Sequence, residues 1–301
     1  MTLMLIDSAS LWYRAYYGMP DTLLSPKGEP VNAIKGFIDM TARLINTYHP
    51  ERLALCLDGD WRPSWRIELY PDYKANRLDE SGEEEEEPDL LTPQIPALLE
   101  FFEALGIEII GADDYEADDV IATLSKREKG PIRVVTGDRD LFQLVDDKKD
   151  VKVVYLAKGI SSHDLVDTKW IAQKYSIPGD RYALFAMIRG DASDGLPGIK
   201  GIGEKGASEI ASNFSTINEV VDAALSDDSK LRDIHRKRVI ADLKYAQVVE
   251  KLVSCAHEVS LPGVDFKIPK RPNNESGLLR LANDYGLTTN LSRIKSALQW
   301  D

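Results

Sequence analysis

Acids recur in this chain where apolar runs end. "LMLID" closes on Asp7, "LALCLD" closes on Asp58, and "RVVTGDRD" delivers Asp138 and Asp140 just past its apolar stretch. Glu116, Asp118 and Asp119 stand together in "DDYEADDVIATL", where an apolar, helix-patterned segment begins at Ala117, and Asp191 and Asp194 follow in "GDASDG". One such acid is ordinary turn or cap chemistry, and a carboxylate in the first turn of a helix gains about 0.3–1 kcal/mol from the dipole. Nine together need another explanation. Gathered carboxylates repel one another unless protonated or bound to cations, and no Lys or Arg occurs between Leu78 and Ser125 to neutralise them locally. Hard divalent cations with oxygen ligands, Mg2+ or Mn2+, meet that demand. Two ions about 4 Å apart can activate a water, hold a phosphate and stabilise the leaving oxygen of an in-line displacement. The chemistry indicated is phosphodiester hydrolysis. Cys56, Cys255 and four scattered His leave no thiol or imidazole metal site and no disulfide framework.

The elements that must gather these acids are legible as apolar runs. Leu3 to Ile6, Leu53 to Leu57, Ile107 to Ile110, Ile132 to Val135 and Val151 to Leu156 read as short buried parallel strands, with helical periodicity over Ala33 to Thr47 and Ile95 to Leu105. The fold class expected is α/β, a mostly parallel sheet flanked by helices. The carboxyl ends of parallel strands share one edge, where ligands bind, so the acids should converge there. From Trp170 the strands stop and the pattern turns helical, which places an α/β domain at 1–170 and a helical one at 171–301. Between the second and third strands runs "WRPSWRIELYPDYKANRLDESGEEEEEPDLLTPQ", basic and aromatic first, acidic afterwards. It is too long for an ordinary loop, and reads as a cap over about 61–100.

"GIKGIGEKGA" contains Gly201-x-Gly203-x-x-Gly206, the spacing of a dinucleotide-binding fingerprint. That fingerprint needs a strand feeding its first glycine, and "GDASDGLPGIK" cannot be one. The glycines read instead as a tight hairpin at 195–212 whose backbone can approach a phosphate, with Lys200 and Lys205 adding charge. A net charge of -13 looks hostile to nucleic acid, but eight acids and no base lie between Asp79 and Asp89, while Lys230, Arg232, Arg236, Lys237 and Arg238 form a basic run. No apolar run approaches a membrane span and "TLMLID" is too short for a signal peptide. A cytoplasmic protein without a membrane role is expected.

Taken in order, "LIDSASLWYRA", "ALCLDGDWRPSWRIELYPDYKANR", "YEADDVIATL", "VVTGDRDLFQLV" and "GDASDGLPGIKGIGEKGA" resemble the 5'-nuclease family, the flap endonucleases and the 5'-3' exonuclease domain of bacterial DNA polymerase I, here in a stand-alone form. The resemblance implies a PIN-like fold with a helix-three-turn-helix region, in which 195–212 is a helix-hairpin-helix holding K+ on its carbonyls. It implies Asp7, Asp58, Glu116 and Asp118 around a first Mg2+ or Mn2+, and Asp119, Asp138, Asp140 and Asp191 around a second, with Asp194 further out. Asp118 and Asp138 are central to catalysis. Tyr73 would stack on a base beside the scissile phosphate, Lys74 and Arg77 would bind that phosphate from one helix face, and Arg14 is a weaker candidate for the same duty. Lys200, Gly201, Gly203 and Lys205 would clamp duplex phosphates. The implied partner is DNA bearing 5' flaps, nicks or overhangs, with RNA primers as a further substrate class, bound by a monomer. Two other readings stand beside it: a junction-binding protein without turnover, and a magnesium-dependent phosphatase of small esters. The departure from the family pattern is the block from Leu78 to Asp89, whose five consecutive Glu should repel DNA near the cap.

Overall fold

The computed structural model describes residues 1–82, 85, 88 and 90–300. The five apolar runs form parallel strands: β1 (Leu3–Asp7), β2 (Arg52–Cys56), β3 (Glu108–Ile110), β4 (Ile132–Thr136) and β5 (Val151–Tyr155). β1 lies between β2 and β4 and all five of its residues are buried, which is why it reads as a continuous apolar run and not an alternating one. A sixth strand, β6 (Asp164–Val166), pairs antiparallel with β5 and ends the sheet, giving the order β3-β2-β1-β4-β5-β6. Three residues with a single buried side chain carry too little periodicity to be read from sequence.

The helices follow as α1 (Ser8–Gly18), α2 (Asn32–Tyr48), α3 (Ser64–Leu69), α4 (Ile95–Leu105), α5 (Ala117–Arg127), α6 (Thr168–Tyr175), α7 (Tyr182–Arg189), α8 (Glu204–Asn213), α9 (Ile217–Ser226), α10 (Asp233–Ala241), α11 (Leu243–Val253), α12 (Glu275–Asp284) and α13 (Thr288–Ala297). One sheet face, carrying Met4 and Ile6, packs with α1, α2 and α4 through Phe37, Phe101 and Phe102. The other, carrying Leu3 and Leu5, shares a core with α5 and with the helices from α6 to α11.

The expected division at residue 170 follows the strand content but not the packing. Leu278, Leu281, Leu291 and Ile294 of α12 and α13 join the core of α2 and α4, so the last helices return to the first half of the chain. The cap is also shorter than expected. α4 begins at Ile95 and buries Leu98, Phe101 and Phe102 in the helix layer, which leaves α3 and two 3-10 turns, Ala75–Arg77 and Thr92–Gln94, as the regular structure of the cap among the described residues. Of the acidic run, Glu83, Glu84, Glu86, Glu87 and Asp89 lie outside the described residues.

Candidate active site

The sheet edge delivers the acids as its topology requires. Asp7 ends β1 and caps α1: one carboxylate oxygen accepts from the Ser10 amide at 3.1 Å, the other from the Thr136 hydroxyl at 2.6 Å. Asp58 lies just beyond β2 and accepts the Ala117 amide at 2.8 Å, fastening β2 to the start of α5. Past β4, the Asp138 carboxylate accepts the Asp140 amide at 2.8 Å. These acids, with Glu116, Asp118 and Asp194, line one cavity of about 870 Å³ whose walls also carry Arg14, Lys74 and Arg77. Seven of the nine expected acids therefore meet.

Burial and mutual repulsion raise the carboxyls that protein cations do not hold. Asp7 is pushed up to about 7, by burial first and then by Asp58. Burial likewise raises Asp58, Asp118 and Asp140, with Asp7 and Asp138 adding to Asp118, and Asp138 and Asp194 adding to Asp140. The Oδ1 of Asp140 is buried without a hydrogen-bond partner.

Asp119 stands apart from this group. It is fully buried, and both its oxygens are taken by Arg66, through Nη1 and Nη2 at 2.8 Å each; the amides of Ala256 at 2.7 Å and Glu116 at 3.2 Å complete the set. A carboxylate with four donors has no lone pair aimed into the cavity, so the expected metal ligand is instead the anchor of a buried ion pair that fixes the start of α5. Asp191 is also absent from the cavity. It accepts from the Ser193 hydroxyl at 2.5 Å and amide at 2.8 Å, and faces Arg189 at 3.4 Å and Arg139 at 3.7 Å in a neighbouring cavity. Burial opposes its charge, but Ser193 and the two arginines hold its carboxyl below the usual range.

Arg66, which sequence reasoning did not single out, organises one wall. It is 3% exposed, and its guanidinium bonds Glu116 at 2.9 Å as well as Asp119 while lying 4.2 Å from the Trp65 ring. Burial would strip its charge, but Glu116 and Tyr73 more than reverse that and raise its basicity. The signal was present as an arginine inside the apolar-aromatic "SWRIEL", the only kind of charge that such a helix can bury if carboxylates face it.

Tyr73 is 3% exposed and its hydroxyl donates to Glu116 at 2.7 Å. The ring expected to stack on a base is thus packed under the cap, where it supports Glu116. Lys74 has a left-handed backbone, φ 50°, and precedes the 3-10 turn, so Lys74 and Arg77 do not share a helix face. They still reach the same cavity: Lys74 Nζ pairs with Glu116, and Arg77 with Asp194 at 2.5 Å. Burial lifts the Asp194 carboxyl to about 6 against the pull of both cations. Arg14, on α1, lines the cavity with its Nε buried and unpartnered.

The glycine hairpin leads into α8, whose cap is Gly203. Gly198 and Gly201 take φ of 65° and 82°, a region only glycine enters freely, and Ile199 and Ile202 anchor the turn in the core. Lys200, Gly201, Gly203 and Lys205 are exposed on its rim. The Gly201 carbonyl accepts from the Arg238 guanidinium, and those of Ile199 and Gly203 accept the Ile202 and Ala207 amides. A guanidinium already seated there leaves these residues a poor fit for K+, and no role is assigned to it. Most of the basic run is likewise occupied: Arg232 pairs with Glu209, and Arg236 with Asp227 and Asp233.

Divalent cations fit the cavity by donor chemistry, since its wall is rich in carboxylate oxygens, one of them orphaned and several raised by burial and then by repulsion. Among the described residues no three Asp, Glu, His or Cys side chains are gathered tightly enough to hold an ion as they stand. Glu116, Asp119 and Asp194 are paired with Arg66, Lys74 and Arg77. Asp7, Asp58, Asp118, Asp138 and Asp140 retain free coordinating capacity.

Residues 2–176 match the family described as 5'-3' exonuclease, N-terminal resolvase-like domain, and residues 177–274 match 5'-3' exonuclease, C-terminal SAM fold. The chain is 44% identical over 299 residues to a 5'-3' exonuclease of Streptomyces coelicolor, covering 98% of this chain and 99% of that protein. It is 38% identical over 309 residues to a 5'-3' exonuclease of Mycobacterium tuberculosis, with 98% and 97% covered. Among solved structures, T5 5'-exonuclease with divalent metal ions (zinc) bound superposes with a TM-score of 0.63 over 99% of each chain at 17% identity, a likeness of fold. No described helix is long and apolar enough to cross a membrane.

Proposed function

This chain belongs to the 5'-3' exonuclease family, and from that premise we infer that it is a divalent-metal-dependent 5'-3' exonuclease and 5'-flap endonuclease acting on DNA in replication and repair. The observation that carries the reading is the convergence of seven of the nine expected acids in one cavity at the carboxyl ends of β1, β2 and β4. Mg2+ or Mn2+ bound there would supply a nucleophilic water and offset the charge developing on the scissile phosphate. The chain's own residues do the rest. Asp7, Asp58, Asp118, Asp138 and Asp140 would hold the cations. Lys74 and Arg77, paired with Glu116 and Asp194 on the wall of the same cavity, would bind the scissile phosphate. Arg14, with a buried unpartnered Nε, contributes from the opposite wall. The hairpin holds the duplex through Lys200, Lys205 and the backbone of Gly201 and Gly203, contacts that position DNA without reading its sequence. The protein acts as a cytoplasmic monomer on flaps, nicks and overhangs, RNA primers included.

Cleavage of end-labelled 5'-flap, nicked and blunt duplexes with magnesium, manganese or chelator tests the whole reading. Metal-dependent release of short 5'-phosphorylated products from flap and nick is expected. Binding without cleavage in either metal would leave a junction-binding protein, and hydrolysis of small phosphate esters alone would leave a phosphatase.

A further inference from the structure

We propose that Arg139 and Arg189 form a subsite for one DNA phosphodiester, on the saddle between the carboxylate cavity and the hairpin; this rests on the nuclease reading and adds a binding position to it. The two arginines line a second cavity of about 690 Å³, walled by Asp191, Ser193 and the backbone from Gly190 to Pro197. Leu196 lines both cavities, and Pro197 begins the hairpin, so DNA that touches the hairpin and enters the carboxylate cavity crosses this point.

The site carries surplus positive charge and an unused donor. Two guanidiniums face a single carboxylate, Asp191, at 3.4 Å and 3.7 Å, long distances beside the 2.5 Å of Arg77 on Asp194. The Arg189 side chain is 11% exposed, its Nε is fixed on the Gly190 carbonyl at 3.0 Å, and its Nη1 is buried with no hydrogen-bond partner. The Arg139 side chain is 45% exposed, so its guanidinium is open to a ligand from solvent. Gly190 packs directly on the start of the hairpin, since a Cβ there would fall 2.4 Å from the Gly198 nitrogen. Forked, permanently charged donors in excess over the one carboxylate suit a tetrahedral anion, which accepts bidentate hydrogen bonds from guanidinium. Arg139 sits between Asp138 and Asp140 in sequence. Its grip on the strand therefore sets where the scissile phosphate lies relative to those two acids.

The test is binding of a labelled 5'-flap duplex with calcium in place of magnesium, across a salt series. Arg139→Ala should weaken binding about fivefold to tenfold and lower the slope of log K against log salt by about one, with Arg139→Lys recovering the slope and Lys169→Ala, at an exposed position on α6, changing neither. A scan of single methylphosphonates through the strand near the cut should find one position whose neutralisation weakens the parent protein but not Arg139→Ala. The scan on the parent needs no variant to fold. Parental slope in Arg139→Ala, with no position whose effect that variant abolishes, overturns the subsite. Cleavage by the parent in magnesium separates the two claims: a parent that never cuts overturns the nuclease reading, whereas a parent that cuts while Arg139→Ala binds like it overturns the subsite alone.

Discussion

The two sides of the carboxylate cavity are neutralised differently. On the α5 side, Glu116 and Asp119 are saturated by Arg66, Lys74 and Tyr73, a dry ion-pair cluster that serves architecture. On the β4 side, Asp138 and Asp140 have no cation within salt-bridge distance among the described residues, and the Asp140 Oδ1 is buried with no hydrogen-bond partner among them. Neighbouring acids of one motif set thus divide into those that the protein satisfies and those that it leaves for a ligand. The difference teaches that membership of an acidic motif does not by itself assign a role; the donors around each oxygen do.

The sharpest way to break this comparison is to remove Arg66. Arg66→Ala leaves Asp119 buried and uncompensated, and should cost about 3–5 kcal/mol of stability, read by urea unfolding. Asp140→Asn on the other side should do the reverse to stability while ending catalysis. Cleavage of the flap substrate is expected to fall at least about a hundredfold, as loss of a group beside the ions does, and the metal-free variant should melt no lower than the parent. A destabilised Asp140→Asn would show that its orphan oxygen is satisfied by something other than a cation.

The next effect is on pH. Asp7 and Asp194 have folded pKa values raised to about 7 and about 6, above the 3.8 of an unperturbed Asp. Between pH 4 and 7 the folded protein therefore binds more protons than the unfolded chain, and its stability contribution from these groups falls as pH rises through that window. With chelator, the melting temperature should drop from pH 5 to pH 7.5 by several degrees; magnesium should flatten the trend, and Asp7→Asn should reduce it. A chelated protein that gains stability across the same window would contradict the burial that raises these two carboxyls. The smallest effect belongs to the hairpin: Lys200→Ala or Lys205→Ala should leave cleavage chemistry intact and lower the salt slope of duplex binding by about one each. An unchanged slope in both would remove the hairpin from the phosphate contacts.

How much of this was legible in sequence follows from how local each cause is. β1 and β2 were legible because burial on both faces writes a near-continuous apolar run, β4 and β5 because only one charged residue interrupts theirs, and β3 only from the short run ending at Ile110; the convergence of Asp7, Asp58 and Asp138 followed from parallel topology alone. Arg66 was not, because its importance comes from Asp119, 53 residues away. Tyr73 and Lys74 were misplaced for the same reason: spacing suggested an exposed helical face, while a left-handed Lys74 turns the chain and the Glu116 carboxylate draws both side chains inward. Asp191 was grouped with the other acids by motif, and only the packing of α7 shows two arginines holding it elsewhere.

The return of α12 and α13 to α2 and α4 has a consequence in time. Asn290 and Arg293 of α13 bond Asp39 of α2, at 2.9 Å and 2.5 Å across more than 250 residues of sequence. Contacts of such separation form late and slow folding. A ribosome that has released residues up to α11 has exposed the whole set of carboxylates, the cap and the hairpin, yet Phe37, Phe101 and Phe102 still lack the layer that covers them. The α2 and α4 layer is therefore completed only when the last helices arrive, and a nascent chain tethered before residue 275 should be far more sensitive to protease in α2 and α4 than one released after Ala297. Synthesis itself would then time the appearance of an activity that cuts nucleic acid.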